Sequence, residues 1–319
     1  MASHSEKDWD GFWRNTSESA AYRGGAPQEA VLKQFWSRFF TQTLSRDTPV
    51  RLLDIACGNG VVCATALQTV ENENLPRGLV FGLDLSLSAL KSLRARSGNV
   101  HCVLANAARL PFKTESFDVL VSQFGLEYAG LGAIDSASRL LNAGGVFAAI
   151  FHLKNGAIFN ECEGNRRAII RLQESRFLPC AKALFSPPMS VSDRQKSQER
   201  FVQALTAVDA VLQQHGTGVA GGTVQRLRAD VLRMVQNPNA FSQDEVVNWI
   251  TGMGAELDTY SGRMSAMMAA ALDENEVEEV QAILNTNGLR PVLCETMKMG
   301  VKQEEAAWAL IAESVNDGE

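Results

Sequence analysis

The spacing of apolar residues divides the chain into stretches of different rhythm. Residues 1–45 open polar and then set Ala30, Leu32, Phe35, Trp36, Phe39, Phe40 and Leu44 at helical spacing, which predicts a helix with one apolar face. From residue 46 to 152 short apolar runs alternate with helical patterns, and the runs at 50–55, 79–84, 100–105, 117–122 and 145–151 predict five strands. Strands separated by helix-length segments imply a mostly parallel sheet covered by helices, an α/β fold. Residues 153–262 carry helical patterns without a strand. Ser192 and Gln195 have capping-box spacing ahead of Phe201, Leu205, Val208 and Leu212. Val224, Leu227, Val231 and Val235 continue until Asn237-Pro238 stops them, and Ser242 with Glu245 opens a further helix through Val246, Val247 and Ile250. The sheet rhythm returns in 263–319, with a helix at 274–284, an Asn287-Gly288 stop, and strands at 291–299 and 306–312. The simplest account is a core made of 46–152 and 263–319, interrupted by a helical insertion at 153–262. An insertion of about 100 residues is tolerated at a loop position because closure entropy grows slowly with length.

Composition narrows the classes. The chain has 319 residues, 45% of them hydrophobic and 21% charged, with a formal net charge of −6. This is an ordinary globular balance, and it disfavours a nucleic-acid partner, which calls for a basic face. Cys57, Cys63, Cys102, Cys162, Cys180 and Cys294 are scattered, with no C-x-x-C pair and no metal-ligand spacing. No metal site is expected, and reduced cysteines suit a cytoplasmic protein. The N-terminal stretch has no apolar signal core, and no run approaches the roughly 18 apolar residues of a membrane span.

The chemistry concentrates in Asp54-Ile55-Ala56-Cys57-Gly58-Asn59-Gly60, where an apolar strand runs into small residues and then a helical pattern. Small residues at such a bend let backbone approach a ligand, and the helix start offers N–H donors. The next strand ends on Asp84, about one βαβ unit later, where a carboxylate accepts both hydroxyls of a ribose.

On these residues the chain resembles the class I S-adenosylmethionine-dependent methyltransferases, in particular the broad UbiE-like, type-11 group. Ala56 stands for the first glycine of the family's turn, and Asp84 matches its ribose-binding acid. Ala105-Asn106-Ala107-Ala108-Arg109-Leu110-Pro111-Phe112 resembles the family's adenine-facing stretch, with Asn106 where Asp is commoner; an amide oxygen accepts the same hydrogen bond. The segment 116–125 resembles the fourth strand and its active-site end, and Leu140-Leu141-Asn142-Ala143-Gly144-Gly145-Val146-Phe147 the turn into the fifth. The resemblance covers 48–152 well and 270–315 loosely. It implies a Rossmann-like, doubly wound, mostly parallel seven-stranded sheet and S-adenosyl-L-methionine as cofactor, held by Asp54, Ala56, Cys57, Gly58, Asn59, Gly60, Asp84, Leu85, Asn106, Ala107 and Gln123. A nicotinamide enzyme is the nearest rival. The third glycine of its fingerprint is replaced by Cys63, and Asp54 would repel a pyrophosphate while attracting an ammonium or sulfonium.

Gln123 and Glu127 follow the fourth strand and His152 the fifth, where acceptors approach in such sheets; these three are the catalytic candidates, His152 as a general base. Trp9, Trp13 and Tyr22 in residues 1–45 suggest a lid over the donor, with Arg23-Gly24-Gly25 as its hinge. Met264, Met267 and Met268 read as packing, and Arg166, Arg167 and Arg171 as a solvated helix face. The expected activity is in-line methyl transfer to O, N or C of a small molecule, with 153–262 as the acceptor-binding cap. Two other readings stay open: an RNA or protein methyltransferase, and a non-catalytic cofactor-binding regulator.

Overall fold

The computed structural model describes residues 4–15, 26–44, 47–185 and 190–315. Tyr22 and the Arg23-Gly24-Gly25 hinge lie outside them. The elements run α1 (His4–Asn15), α2 (Ala26–Thr43), β1 (Arg51–Ile55), α3 (Val61–Asn72), β2 (Leu79–Asp84), α4 (Leu87–Arg96), β3 (Val100–Leu104), β4 (Phe117–Gln123), α5 (Leu131–Ser138), β5 (Leu141–His152), α6 (Ala157–Glu174), α7 (Phe177–Leu184), α8 (Val191–His215), α9 (Thr223–Gln236), α10 (Gln243–Ala270), α11 (Glu274–Thr286), β6 (Leu289–Met299) and β7 (Glu304–Ser314). The chain forms two compact units, residues 1–160 with 266–319 and residues 161–265.

The first unit holds one seven-stranded sheet in the order β3-β2-β1-β4-β5-β7-β6. β1 to β5 are parallel, while β7 runs antiparallel to both β5 and β6. Each parallel step needs a crossover, which is why helical patterns separate the apolar runs. The central strands are covered on both faces, so they read as continuous apolar runs: Leu52, Leu53 and Ile55 of β1 and Leu120 and Val121 of β4 are buried. Leu53, Leu120, Phe147, Phe151, Val280, Leu284 and Leu310 belong to one core. The chain winds outward through β1, β2 and β3, then crosses back to place β4 on the other side of β1. That reversal opens a crevice at the carboxyl ends of β1 and β4.

β5 and the last two strands are longer than the sequence pattern suggested. Pairing with β6 extends β7 from Glu304, opposite Met299, to Ser314, opposite Leu289, and β5 begins at Leu141, opposite Phe117, ahead of a register shift that resumes at Val146. A capping box of Asp273 and Glu276 opens α11: Asp273 accepts from the Glu276 N–H and Glu276 from the Asp273 N–H.

The described residues of the second unit form helices and the short loops between them. Phe177 stacks on Phe201 with ring centroids 5.6 Å apart, beside Val208, Val224, Leu227 and Val231. The Ser242–Glu245 box forms as expected, each backbone N–H donating to the other's side chain. The box expected at Ser192 and Gln195 does not. α8 begins two positions earlier, where Ser190 accepts from the Asp193 N–H at 3.1 Å and leaves Ser192 inside the first turn. Arg166, Arg167 and Arg171 share α6 and are engaged with Ser265, Glu163 and Gln214. Among the described residues, no helix is long and apolar enough to cross a membrane.

Candidate functional site

The turn after β1 carries the site. Ala56, Gly58 and Gly60 all adopt left-handed backbone, with φ of 57°, 54° and 84°. Glycine takes that conformation freely, and alanine does so at a cost of about 1 kcal/mol. The strained Ala56 fits because its neighbour is Gly125: a Cβ added there would stand 2.5 Å from the Ala56 methyl. Gly60 in turn lies against Leu93, where an added Cβ would come within 2.2 Å. The turn is therefore closed in by packing on one side and open on the other.

Asp84 fixes the turn to the end of β2. Its Oδ2 accepts from the Gly58 N–H and its Oδ1 from the Ser86 N–H, each at 2.8 Å. Burial pushes the Asp84 carboxyl above its ordinary range, opposed by those backbone donors. Asp84 is not the cap of α4: Ser86 is, accepting from the Ala89 N–H. Asp54 is still more enclosed. Its Oδ2 accepts from the Cys63 thiol at 3.2 Å, whereas its buried Oδ1 has no partner among the described residues. Burial pushes Asp54 up to about 7, only partly offset by Cys63. A buried carboxylate oxygen lacking a donor fits a cationic ligand group.

Around this pair a single cavity is lined by Asp54, Ala56, Cys57, Gly58, Asn59, Asp84, Leu85, Asn106, Ala107, Gln123 and His152, so nearly all the residues expected of the site meet there. Gly60 stands behind the turn, outside that lining. Asn106 is turned partly to its own loop, its Oδ1 accepting from the Ala108 N–H at 2.9 Å. Gln123 accepts from the Trp36 indole N–H at 2.7 Å, which ties the end of β4 to α2. Glu127 does not line the cavity; it lies behind His152, whose ring Nδ1 is 2.8 Å from Glu127 Oε1. None of the six cysteines forms a disulfide, and burial raises the thiols of Cys57 and Cys63 well above their ordinary value. Both are packing and hydrogen-bonding groups here.

The first helix completes the wall. Trp9 and Trp13 of α1 both line the cavity, as does Met267. Asp10 anchors α1, accepting from the Ser86 hydroxyl at 2.9 Å and the Ser88 N–H at 3.0 Å. Burial raises the Asp10 carboxyl, but these donors and Arg14 outweigh it and hold it at about 2. Sequence reasoning missed Asp10, Phe124 and Tyr128. The signal was present: Asp10 stands between the two tryptophans, and Tyr128 adjoins Glu127.

Residues 53–149 match the model of a methyltransferase domain. The ubiquinone/menaquinone biosynthesis C-methyltransferase UbiE of Pseudomonas fluorescens (strain SBW25) is 34% identical over 122 residues, covering 36% of this chain and 46% of that protein. An uncharacterized protein of Methanocaldococcus jannaschii is 32% identical over 149 residues, covering 45% of this chain and 54% of its own. The chain thus spans about half the length of the curated relatives it matches. A solved S-adenosylmethionine dependent methyltransferase from Mesorhizobium loti aligns with 24% identity and a TM-score of 0.31, over 36% of this chain and 53% of that one. The match to the methyltransferase domain spans the glycine turn, Asp84 at the end of β2 and the strand β4 that ends at the cavity.

Proposed function

We propose that the chain transfers a methyl group from S-adenosyl-L-methionine to O, N or C of a small-molecule acceptor. The observation that carries this reading is the pairing of Asp84 and Asp54 across one glycine turn. Asp84 would hold the ribose hydroxyls, and the unpartnered Asp54 Oδ1 would face the donor's cationic end. The donor supplies a methyl carbon already activated by positive sulfur. The protein's own residues then orient it, exclude water and place the acceptor. Trp9 and Trp13 offer aromatic faces to a sulfonium, as such faces do to other cations. A net charge of −6 favours a small acceptor over a nucleic acid.

We assign the helical insertion, residues 153–262, to acceptor selection. A chain lacking them that folds and turns over the same acceptor at the same rate would overturn that assignment. The reading as a whole is tested by calorimetry with S-adenosylmethionine, followed by S-adenosylhomocysteine release across fractionated metabolite pools. Absence of donor binding at millimolar concentration would sink it. Donor binding without turnover of any small molecule would favour a macromolecular acceptor or a regulatory role.

A further inference from the structure

A buried acid–imidazole pair and three aromatic rings meet at the carboxyl ends of β4 and β5. Glu127 Oε1 lies 2.8 Å from His152 Nδ1 and also accepts the His152 backbone N–H at 3.2 Å. The side chains of His152 and Glu127 are 3% and 0% exposed. With Nδ1–H donating to the carboxylate, Nε2 carries the lone pair. Among the described residues Nε2 has no partner, and His152 lines the cavity. Leaving a buried ring nitrogen unpaired is costly, so an imidazole held only for packing would be expected to satisfy both nitrogens.

The surroundings are built rather than incidental. Phe124 adopts φ 53°, a backbone conformation that bulky residues rarely occupy and that marks sites where geometry is imposed. That conformation sets its ring 4.4 Å from the His152 ring. The Tyr128 ring stands edge-on to His152 at 5.8 Å, and Trp9 is edge-on to Tyr128 at 5.6 Å. All three aromatics line the same cavity as Asp54 and Gly58.

We propose that the Glu127–His152 pair is a general base acting on an aromatic acceptor that bears a hydroxyl, and that the methyl group goes to that oxygen. This rests on the donor reading above. His152 Nε2 takes the hydroxyl proton, and the oxygen bonds to the donor's methyl carbon. The carbon–sulfur bond breaks with its electron pair left on sulfur. The imidazolium is balanced by Glu127 and releases its proton to solvent as product leaves. Phe124, Tyr128 and Trp9 hold the ring.

The test uses the full chain, S-adenosylmethionine and phenols of graded acidity, from para-nitrophenol to para-methoxyphenol, with S-adenosylhomocysteine release as readout. At about pH 8.5, where para-nitrophenol is already largely ionised and para-methoxyphenol is not, His152→Asn is expected to lose about a hundredfold or more on para-methoxyphenol and less than tenfold on para-nitrophenol. Glu127→Gln keeps an acceptor for Nδ1–H and is expected to show the same gradient with smaller amplitude; it decides the matter if circular dichroism shows His152→Asn unfolded. A readout independent of turnover is the visible phenolate band of para-nitrophenol bound with S-adenosylhomocysteine at about pH 6, where the free phenol is mostly protonated; it is expected in the wild type and lost in His152→Asn. Equal losses across the series would reduce His152 to a structural role and overturn the proposal. So would a chain that binds S-adenosylmethionine but methylates none of the phenols. Failure to bind S-adenosylmethionine would instead overturn the donor reading beneath it.

Discussion

The indole of Trp13 lies directly over Gly58, so close that a Cβ at position 58 would stand 2.7 Å from its Cζ2 atom. Helix α1 and the glycine turn therefore share one contact, and neither can be altered without moving the other. Gly58→Ala is expected to displace Trp13 and to strain the turn by about 1 kcal/mol, because alanine disfavours the φ of 54° found there. S-adenosylmethionine affinity should fall at least tenfold by calorimetry. An unchanged affinity with α1 amides still protected from hydrogen exchange would show that the contact is dispensable.

Asp84 is the second point of leverage. Its loss removes the acceptor for the Gly58 and Ser86 N–H groups and the proposed ribose contact together. Asp84→Ala should weaken donor binding by at least tenfold, since a buried charge-assisted hydrogen bond is worth about 1.5–3 kcal/mol. Calorimetry giving wild-type affinity would remove Asp84 from the site.

Asp54 makes a prediction about protons. Its folded-state value is raised from 3.8 to about 7 by burial, so the folded chain holds a proton that the unfolded chain has released. Its contribution to stability is fully present below the unfolded value and is lost as pH rises through about 7. Urea unfolding should show the wild type losing stability over that window, with Asp54→Asn losing less. A cationic ligand beside Asp54 favours the carboxylate, so donor binding near neutral pH should release a proton. Calorimetry in buffers of different ionisation enthalpy reads that release, and Asp54→Asn should abolish it.

Gly125 and Ala56 are coupled through space. Gly125→Ala would set two methyl groups 2.5 Å apart and is expected to cost about 1–3 kcal/mol in urea unfolding. Ala56→Gly removes one of the methyls and relieves the strained φ, so the double variant should recover part of that loss. Strict additivity of the two substitutions would show that the turn moves freely instead.

Much of this was legible in the chain before any tertiary structure. Alternating apolar runs marked the five parallel strands, and β1 and β4 read as apolar because both faces are covered. Asp54, Gly58 and Asp84 were legible because each sits at a strand end, where local backbone geometry dictates residue type. The Ser190 cap was not, since Ser190 and Ser192 look alike until the chain's path selects one.

The sequence alone determined the alternation of strands and helices, and with it the glycine turn and the two acids beside it, because those features are local. Only the tertiary structure decided what meets at the cavity. Trp13 over Gly58 and Glu127 behind His152 are contacts between residues far apart in the chain or on different elements. Such contacts are set by sheet order and helix docking, and no periodicity along the chain encodes them.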